Sequence, residues 1–330
     1  MLTEAAGMTT RGHRVTLLAP SEARITAEAQ RRGVEAVALP IAWKRPAGWL
    51  ALRRWLAAER PDVVNTHSST DSWLVALAGA GVPIVRTRHI SAPVGANPWN
   101  RWLYGSAARR VVTTGEALRR SLIENLHLAE NQVVSIPTGI ELKRFSRAPK
   151  ASLGIPLGAT VFGIVATLRS WKGHQDLLDA FSRIEREGDF HLVIAGDGPQ
   201  RPLLEKRSVS PRVHLLGHRE DVPEVLAALD CFVLPSYANE GVPQAIMQAM
   251  ASGLPVISTR VGAIAEAVRE GETGVFVPPR DPAALAAAML DLARSPQKRS
   301  DLGSAGRRFA EQNFSLERML DRMEAVFRAL

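Results

Sequence analysis

Short apolar runs bounded by Gly, Pro or charge alternate along this chain with longer stretches whose apolar residues recur at helical spacing. The alternation predicts a helix over 2–10, a strand over 14–19, a helix over 21–33, a strand over 35–39, a helix over 41–60 and a strand over 63–67. A helix over 70–80 and a strand over 84–87 follow; beyond a Trp-rich stretch at 97–108 come strands over 111–114 and 133–136 flanking a helix over 115–125. From 143 to 158 charge, Pro and Gly replace the periodic pattern, as in a linker. The second run predicts strands over 161–166, 191–195, 213–216, 231–234, 255–258 and 273–277. Its helices are expected over 174–187, 224–229, 243–252 and 282–293, with a helix start at 264–269 and a last helix over 314–330. Strand followed by helix, repeated, implies an α/β fold with parallel sheets. The two runs divide the chain into 1–145 and 146–312, with 313–330 as a closing helix. In an open α/β domain a strand and a tight glycine turn should precede the first helix; neither does here, so the first strand of the N-terminal domain is expected to be missing.

The most informative stretch is 231–258. A buried strand over 231–234 leads into a loop carrying Ser236, Asn239, Glu240, Gly241 and Val242, and Pro243 sits where a first helical position belongs. The helix ends at Gly253, and Pro255 prevents its continuation. Gln244 and Gln248, four apart, share one face; Ala245, Ile246, Ala249 and Met250 form the apolar one. A strand, a polar loop and a helix with free N–H groups at its start suit an anionic ligand, although an ordinary crossover would look the same.

Other candidates fall at comparable places. Arg169 and Lys172 lie between a strand and a helix start, where two cations and free N–H groups suit a diphosphate; two solvated surface cations are the plain alternative. Gly196 and Gly198 follow a strand, but position 201 is Arg, so the dinucleotide fingerprint fails. His67 and His89 stand at the C-terminal ends of neighbouring strands, the edge at which open parallel sheets bind ligands.

The segment from Glu240 through Gly241-Val242-Pro243 to Ala249-Met250-Ala251-x-Gly253-x-Pro255-Val256 resembles the signature of the family 4 retaining glycosyltransferases, with Gln248 in place of the second acidic residue. Pro83-Ile84-Val85-x-Thr87-x-His89, Gly196-x-Gly198-Pro199 and Pro137-Thr138-Gly139-Ile140-Glu141 also match family segments, so the resemblance covers nearly the whole chain. It implies the GT-B arrangement, two doubly wound, Rossmann-like domains facing across a cleft, and transfer of a sugar, with retention, from a nucleotide diphosphate sugar to a glycan or lipid-linked acceptor of cell-envelope type, with no cofactor and no obligatory metal. By the same resemblance Glu240 and His89 meet the donor sugar, and Lys172 grips the diphosphate. Arg169 substitutes for the family Arg, whose position is Thr167. Gly196 and Gly198 lie beside the phosphates, His218 and Arg219 belong to the turn that cups the base, and Gln248 takes the ribose position. An amide still bonds a diol but lacks the carboxylate's charge. A non-catalytic homologue that binds nucleotide or glycan as a scaffold is the second reading, favoured by Gln248, Thr167 and the absent first strand, and a nucleotide-sugar epimerase would share the architecture.

Charge and composition refine the partners. Of a net +8, residues 1–150 carry 21 Lys and Arg against 11 Asp and Glu, and the rest carry 20 against 22. So uneven a balance points the first half at something anionic, a phosphorylated acceptor or a membrane surface, with a merely solvated basic face as the alternative. The segment 41–60 places Trp49, Leu52 and Leu56 near one face with Arg53, Arg54 and Arg60 close by, as a surface-lying helix would. Trp99, Arg101, Trp102 and Tyr104 would suit a glycan or headgroup, or helix packing. Nucleic acid is not among the expected partners. The single cysteine, Cys231, lies in an apolar run, which excludes a disulfide framework and fits a reducing, cytoplasmic setting, with the inner face of the membrane as the place of contact.

Overall fold

The computed structural model describes residues 1–42, 46–79, 81–89, 92, 94–146 and 148–330. Parts of the expected helices over 41–60 and 70–80, and of the linker over 143–158, therefore lie outside the described residues. The chain divides into two compact units, Met1–Gly139 with Leu316–Leu330, and Ile140–Ser315.

In the first unit β1 (Thr16–Ala19) and β2 (Glu35–Ala38) form a two-stranded parallel ladder. A separate four-stranded parallel sheet runs in the order β3 (Val64–Thr66), β4 (Ile84–Arg88), β5 (Arg110–Thr113), β6 (Val133–Ser135). The helix Leu316–Arg328 buries Met319, Leu320, Met323 and Val326, at 3.6-residue spacing, against Met8, Val85, Val112 and Ile136. Arg11, at the end of the first helix, fastens that packing through ion pairs to Glu317, Asp321 and Glu324 at 2.8, 2.8 and 3.1 Å.

The second unit holds six parallel strands, β7 (Thr160–Val165), β8 (Phe190–Ala195), β9 (Val213–Gly217), β10 (Cys231–Leu234), β11 (Val256–Ser258) and β12 (Gly274–Phe276). Their order is β12-β11-β10-β7-β8-β9. The chain therefore starts at the centre with β7, winds outward through β8 and β9, and returns to β10 on the other side of β7. The crevice beyond the carboxyl ends of β7 and β10 is the topological switch point, where doubly wound sheets take their ligands. β8 and β10 are buried along their whole length, which is why they read as continuous apolar runs rather than alternating ones. The helix His174–Ile184 buries Leu177, Leu178, Phe181 and Ile184 in this core.

Several elements depart from expectation. Pro243 is the N-cap of the helix Gln244–Ala251 rather than its first residue, with extended backbone at φ −70° and ψ 122°. Its own carbonyl accepts from Ile246 and Met247, so the first turn closes on a residue still outside the helix. The pattern did not suggest Arg201–Arg207 or the 18-residue helix Pro296–Asn313, whose Gly303 and Gly306 weaken the periodicity. Gly303 serves packing: a Cβ on it would stand 2.1 Å from the Gly253 carbonyl oxygen, just past the helix Gln244–Ala251. Within 97–108, Trp102–Ala107 is π-helical. The helix start at 264–269 is a single 3₁₀ turn, Ile264–Glu266.

Candidate functional site

Two loops meet at the switch point of the second unit. The loop after β7 ends in a 3₁₀ turn, Ser170–Lys172, and then Gly173, whose φ of 74° lets it cap the helix His174–Ile184. A Cβ there would lie 2.1 Å from the Pro235 carbonyl oxygen, so only glycine permits this closeness to the loop after β10. The Tyr237 amide donates to the Trp171 carbonyl at 2.9 Å and ties the two loops a second time.

Across this seam Lys172 Nζ donates to both oxygens of Glu240, at 2.7 and 3.0 Å. Ser236 Oγ donates to Glu240 Oε1 at 2.6 Å. Ser236 is itself held, its carbonyl accepting from Thr259 Oγ1 at 2.5 Å. Glu240 is 4% exposed, and an ammonium and a hydroxyl offset the cost of holding its carboxylate in a largely dry place. Gly241 and the buried Val242 and Pro243 lead from it into the helix Gln244–Ala251, whose first N–H groups have no intrahelical acceptors. Gln248 lies half-buried on that helix.

The loop that brings Lys172 also walls a cavity of about 230 Å³, lined by Val165, Ala166, Thr167, Ala195, Gly196, Asp197, His218, Arg219 and Val222. Gly196 bonds back to the Gly217 carbonyl at 2.7 Å, and a Cβ on it would fall 1.9 Å from the Ala166 oxygen. The loops after β7 and β8 thus touch through bare backbone; Gly198 sits just beyond, against Leu168. Arg219 is clamped by Asp221, Nε to Oδ1 at 2.7 Å and Nη2 to Oδ2 at 2.5 Å, which holds the Asp221 carboxyl below its usual range. That guanidinium offers the cavity a fixed flat face rather than a mobile cation.

The structure thus joins Lys172 with Glu240, and Gly196 with His218 and Arg219. It does not bring Arg169 to the ion pair; that side chain is exposed and its guanidinium lies 5.6 Å from the Trp171 ring centroid. Thr259 and Asp221 are residues that the sequence reading gave no role, and Ser236, named there only as a loop residue, proves to bond Glu240. Asp221, two after Arg219, was there to be found as a potential pair; Thr259 gave no signal, since its role depends on β11 lying beside β10. His174, directly after Gly173, is 2% exposed, and burial pushes its imidazole down to about 4.

In the first unit His67 and His89 stack with ring centroids 5.3 Å apart, and His67 Nδ1 lies 3.0 Å from His89 Nε2. Desolvation, then the neighbouring His89, push His67 down to about 3; desolvation likewise takes His89 to about 4. The His67 amide donates to Asp71, which completes a capping box with Ser68 at the start of the helix Ser69–Ala78. Among the described residues no helix is long and apolar enough to cross a membrane.

Comparison with known proteins follows the same division. Residues 1–144 match the family described as Glycosyltransferase Family 4, and residues 159–295 match Glycosyl transferases group 1. The chain is 30% identical to a phosphatidyl-myo-inositol mannosyltransferase of Mycobacterium leprae, over 79% of this chain and 72% of that protein. It is 27% identical to an N-acetyl-alpha-D-glucosaminyl L-malate synthase of Bacillus anthracis, over 82% and 75%. Among solved structures, a glycosyltransferase from Rickettsia africae superposes with a TM-score of 0.87 at 19% identity, covering 99% of this chain and 93% of that one. Anabaena Alr3699/HepE in complex with UDP-glucose does so with 0.83 at 21% identity, covering 100% and 94%. The ion-paired switch point, the parallel sheets and these matches agree: the chain belongs to glycosyltransferase family 4, and it is a sugar-transferring enzyme of the GT-B fold.

Proposed function

We propose that the enzyme moves a sugar, with retention, from a nucleotide diphosphate sugar to a glycan or lipid-linked acceptor. The observation that carries this reading is the Lys172–Glu240 pair at the switch point, set beside a backbone-lined cavity. In it the cavity walled by Gly196, His218 and Arg219 takes the nucleoside. Lys172 and the start of the helix Gln244–Ala251 then meet the diphosphate, with Arg169 as a second cation nearby, and Gln248 meets the ribose. Glu240 accepts hydrogen bonds from donor-sugar hydroxyls. Its charge is already committed to Lys172 and Ser236, so it orients rather than removes a proton.

The bond from the anomeric carbon to the phosphate oxygen breaks as the acceptor oxygen bonds to that carbon on the same face. The departing phosphate oxygen receives the acceptor's proton. Lys172 stabilises the charge that grows on the leaving group, the kind of contribution worth roughly 10²–10³ in rate. His89 is proposed as the residue of the first unit on which turnover depends. For the acceptor, the two relatives' names carry a hydroxy acid and an inositol phospholipid, so hydroxyls on quite different carriers are compatible with this family.

Lys172→Ala and Glu240→Gln should each lower transfer about 100-fold or more with the circular dichroism spectrum unchanged. Near-wild-type turnover by both would reject the site. Thermal shifts with uridine, guanosine and adenosine diphosphate sugars, run on the wild type, identify the base.

A further inference from the structure

Arg86 and Arg88 stand two apart on β4 and so point to one face of the sheet. Both donate to the same phenol oxygen, Tyr104 Oη, Arg86 Nη2 at 2.9 Å and Arg88 Nη1 at 3.2 Å. Their remaining bonds go to carbonyls, from Arg86 to Ser68 at 3.4 Å and from Arg88 to Ala92. The Nε of each is buried with no partner, and Arg86 is 5% exposed. Among the described residues no carboxylate bonds either guanidinium, and none of the residues left undescribed is acidic. Two like charges therefore share one phenol, with Arg86 also lying over its ring at 4.3 Å from the centroid, in a place where burial is costly without a counter-ion. Tyr104 is 2% exposed, already accepts twice, and its own O–H has no acceptor among the described residues.

We infer that Arg86, Arg88 and Tyr104 form an oxyanion subsite for a phosphate group, with the half-buried Arg88 in contact and Arg86 adding its charge from behind. A phosphate monoester at neutral pH carries close to two charges, which matches two guanidiniums; a carboxylate would leave one cation unbalanced. The subsite lies at the carboxyl end of β4, one residue before His89, where a parallel sheet receives ligand. On the transfer reading proposed above, that phosphate belongs to the acceptor; the binding itself does not depend on that reading.

Inorganic phosphate is the probe, titrated against chloride at equal ionic strength, on a Lys172→Ala background that weakens the proposed diphosphate site, so that only the part of the response lost with Arg88 is assigned to this subsite. Phosphate should raise the melting temperature saturably, and Arg88→Gln should weaken half-saturation about tenfold or more, with Arg88→Lys intermediate. The exposed Arg54→Gln should respond as the background does. Equal phosphate responses with and without Arg88→Gln, or an acetate response as large as that to phosphate, would overturn the proposal. If Arg88→Gln does not fold, Arg88→Lys decides by the same shift in half-saturation. Loss of this response with intact sensitivity of transfer to Glu240→Gln would fault the phosphate subsite alone; the reverse would fault the transfer site alone.

Discussion

Gln248 shows how much a single side chain decides. It lies eight positions after Glu240 on a helix whose other face is buried, and it presents an amide where the family has a carboxylate. An amide shares its hydrogen bonds between donor and acceptor, whereas a carboxylate accepts both hydrogens of a diol and carries charge. Gln248→Glu should therefore tighten binding of the nucleoside diphosphate that the thermal-shift panel selects by about 3- to 30-fold, read by titration calorimetry. Unchanged affinity would mean that this position does not reach the ribose. Glu240 and Lys172 were legible as candidates because each belongs to a local motif at the end of a strand. Their pairing was not legible: they are 68 residues apart, and only the adjacency of β7 and β10 sets Nζ 2.7 Å from the carboxylate. Arg169 shows the reverse, a cation well placed in sequence whose side chain turns outward onto Trp171.

At the level of elements, strand and helix order came through wherever apolar periodicity was strong, as in β7, β8, β10 and the helix His174–Ile184. It failed where packing asks for small residues. Pro296–Asn313 escaped because Gly303 and Gly306 read as helix breakers, yet the missing side chain of Gly303 is what lets this helix lie against Gly253. The π-helical turn Trp102–Ala107 had no sequence signal at all, and it is the element that carries Tyr104 to Arg86 and Arg88. Gly303→Val should force this helix away from the end of Gln244–Ala251. We expect a loss of about 1–3 kcal/mol in urea unfolding, accompanied by weaker nucleotide binding. Full stability in that variant would show that the two helices do not approach as closely as 2.1 Å requires.

For the whole molecule the histidines set the response to acid. His67 is held down to about 3, and His89 and His174 to about 4, while His214 is lowered by desolvation and by His191. The folded chain keeps these rings neutral at a pH where the unfolded chain, with ordinary values near 6.5, already binds protons. Below about 6.5 the unfolded state therefore takes up more protons, so stability falls with pH by up to about 1.4 kcal/mol per pH unit for each such ring, less for the exposed His89. The fall continues toward about 4, where the folded rings begin to protonate as well. Carboxylates act in both directions: Asp221 and Glu324, held below their usual range by arginine and histidine bonds, add to the acid loss below their ordinary values, whereas the buried Glu4, raised by desolvation, takes up its proton above 4.5 and opposes the loss from within the histidine window. The lowered histidines outnumber it there and set the net direction. Melting temperature should decline steadily across this window, and His67→Gln combined with His89→Gln should flatten the decline for the transition of the first unit. His174→Gln should flatten it for the second. An acid limb of equal slope in all three proteins would mean that these rings titrate normally.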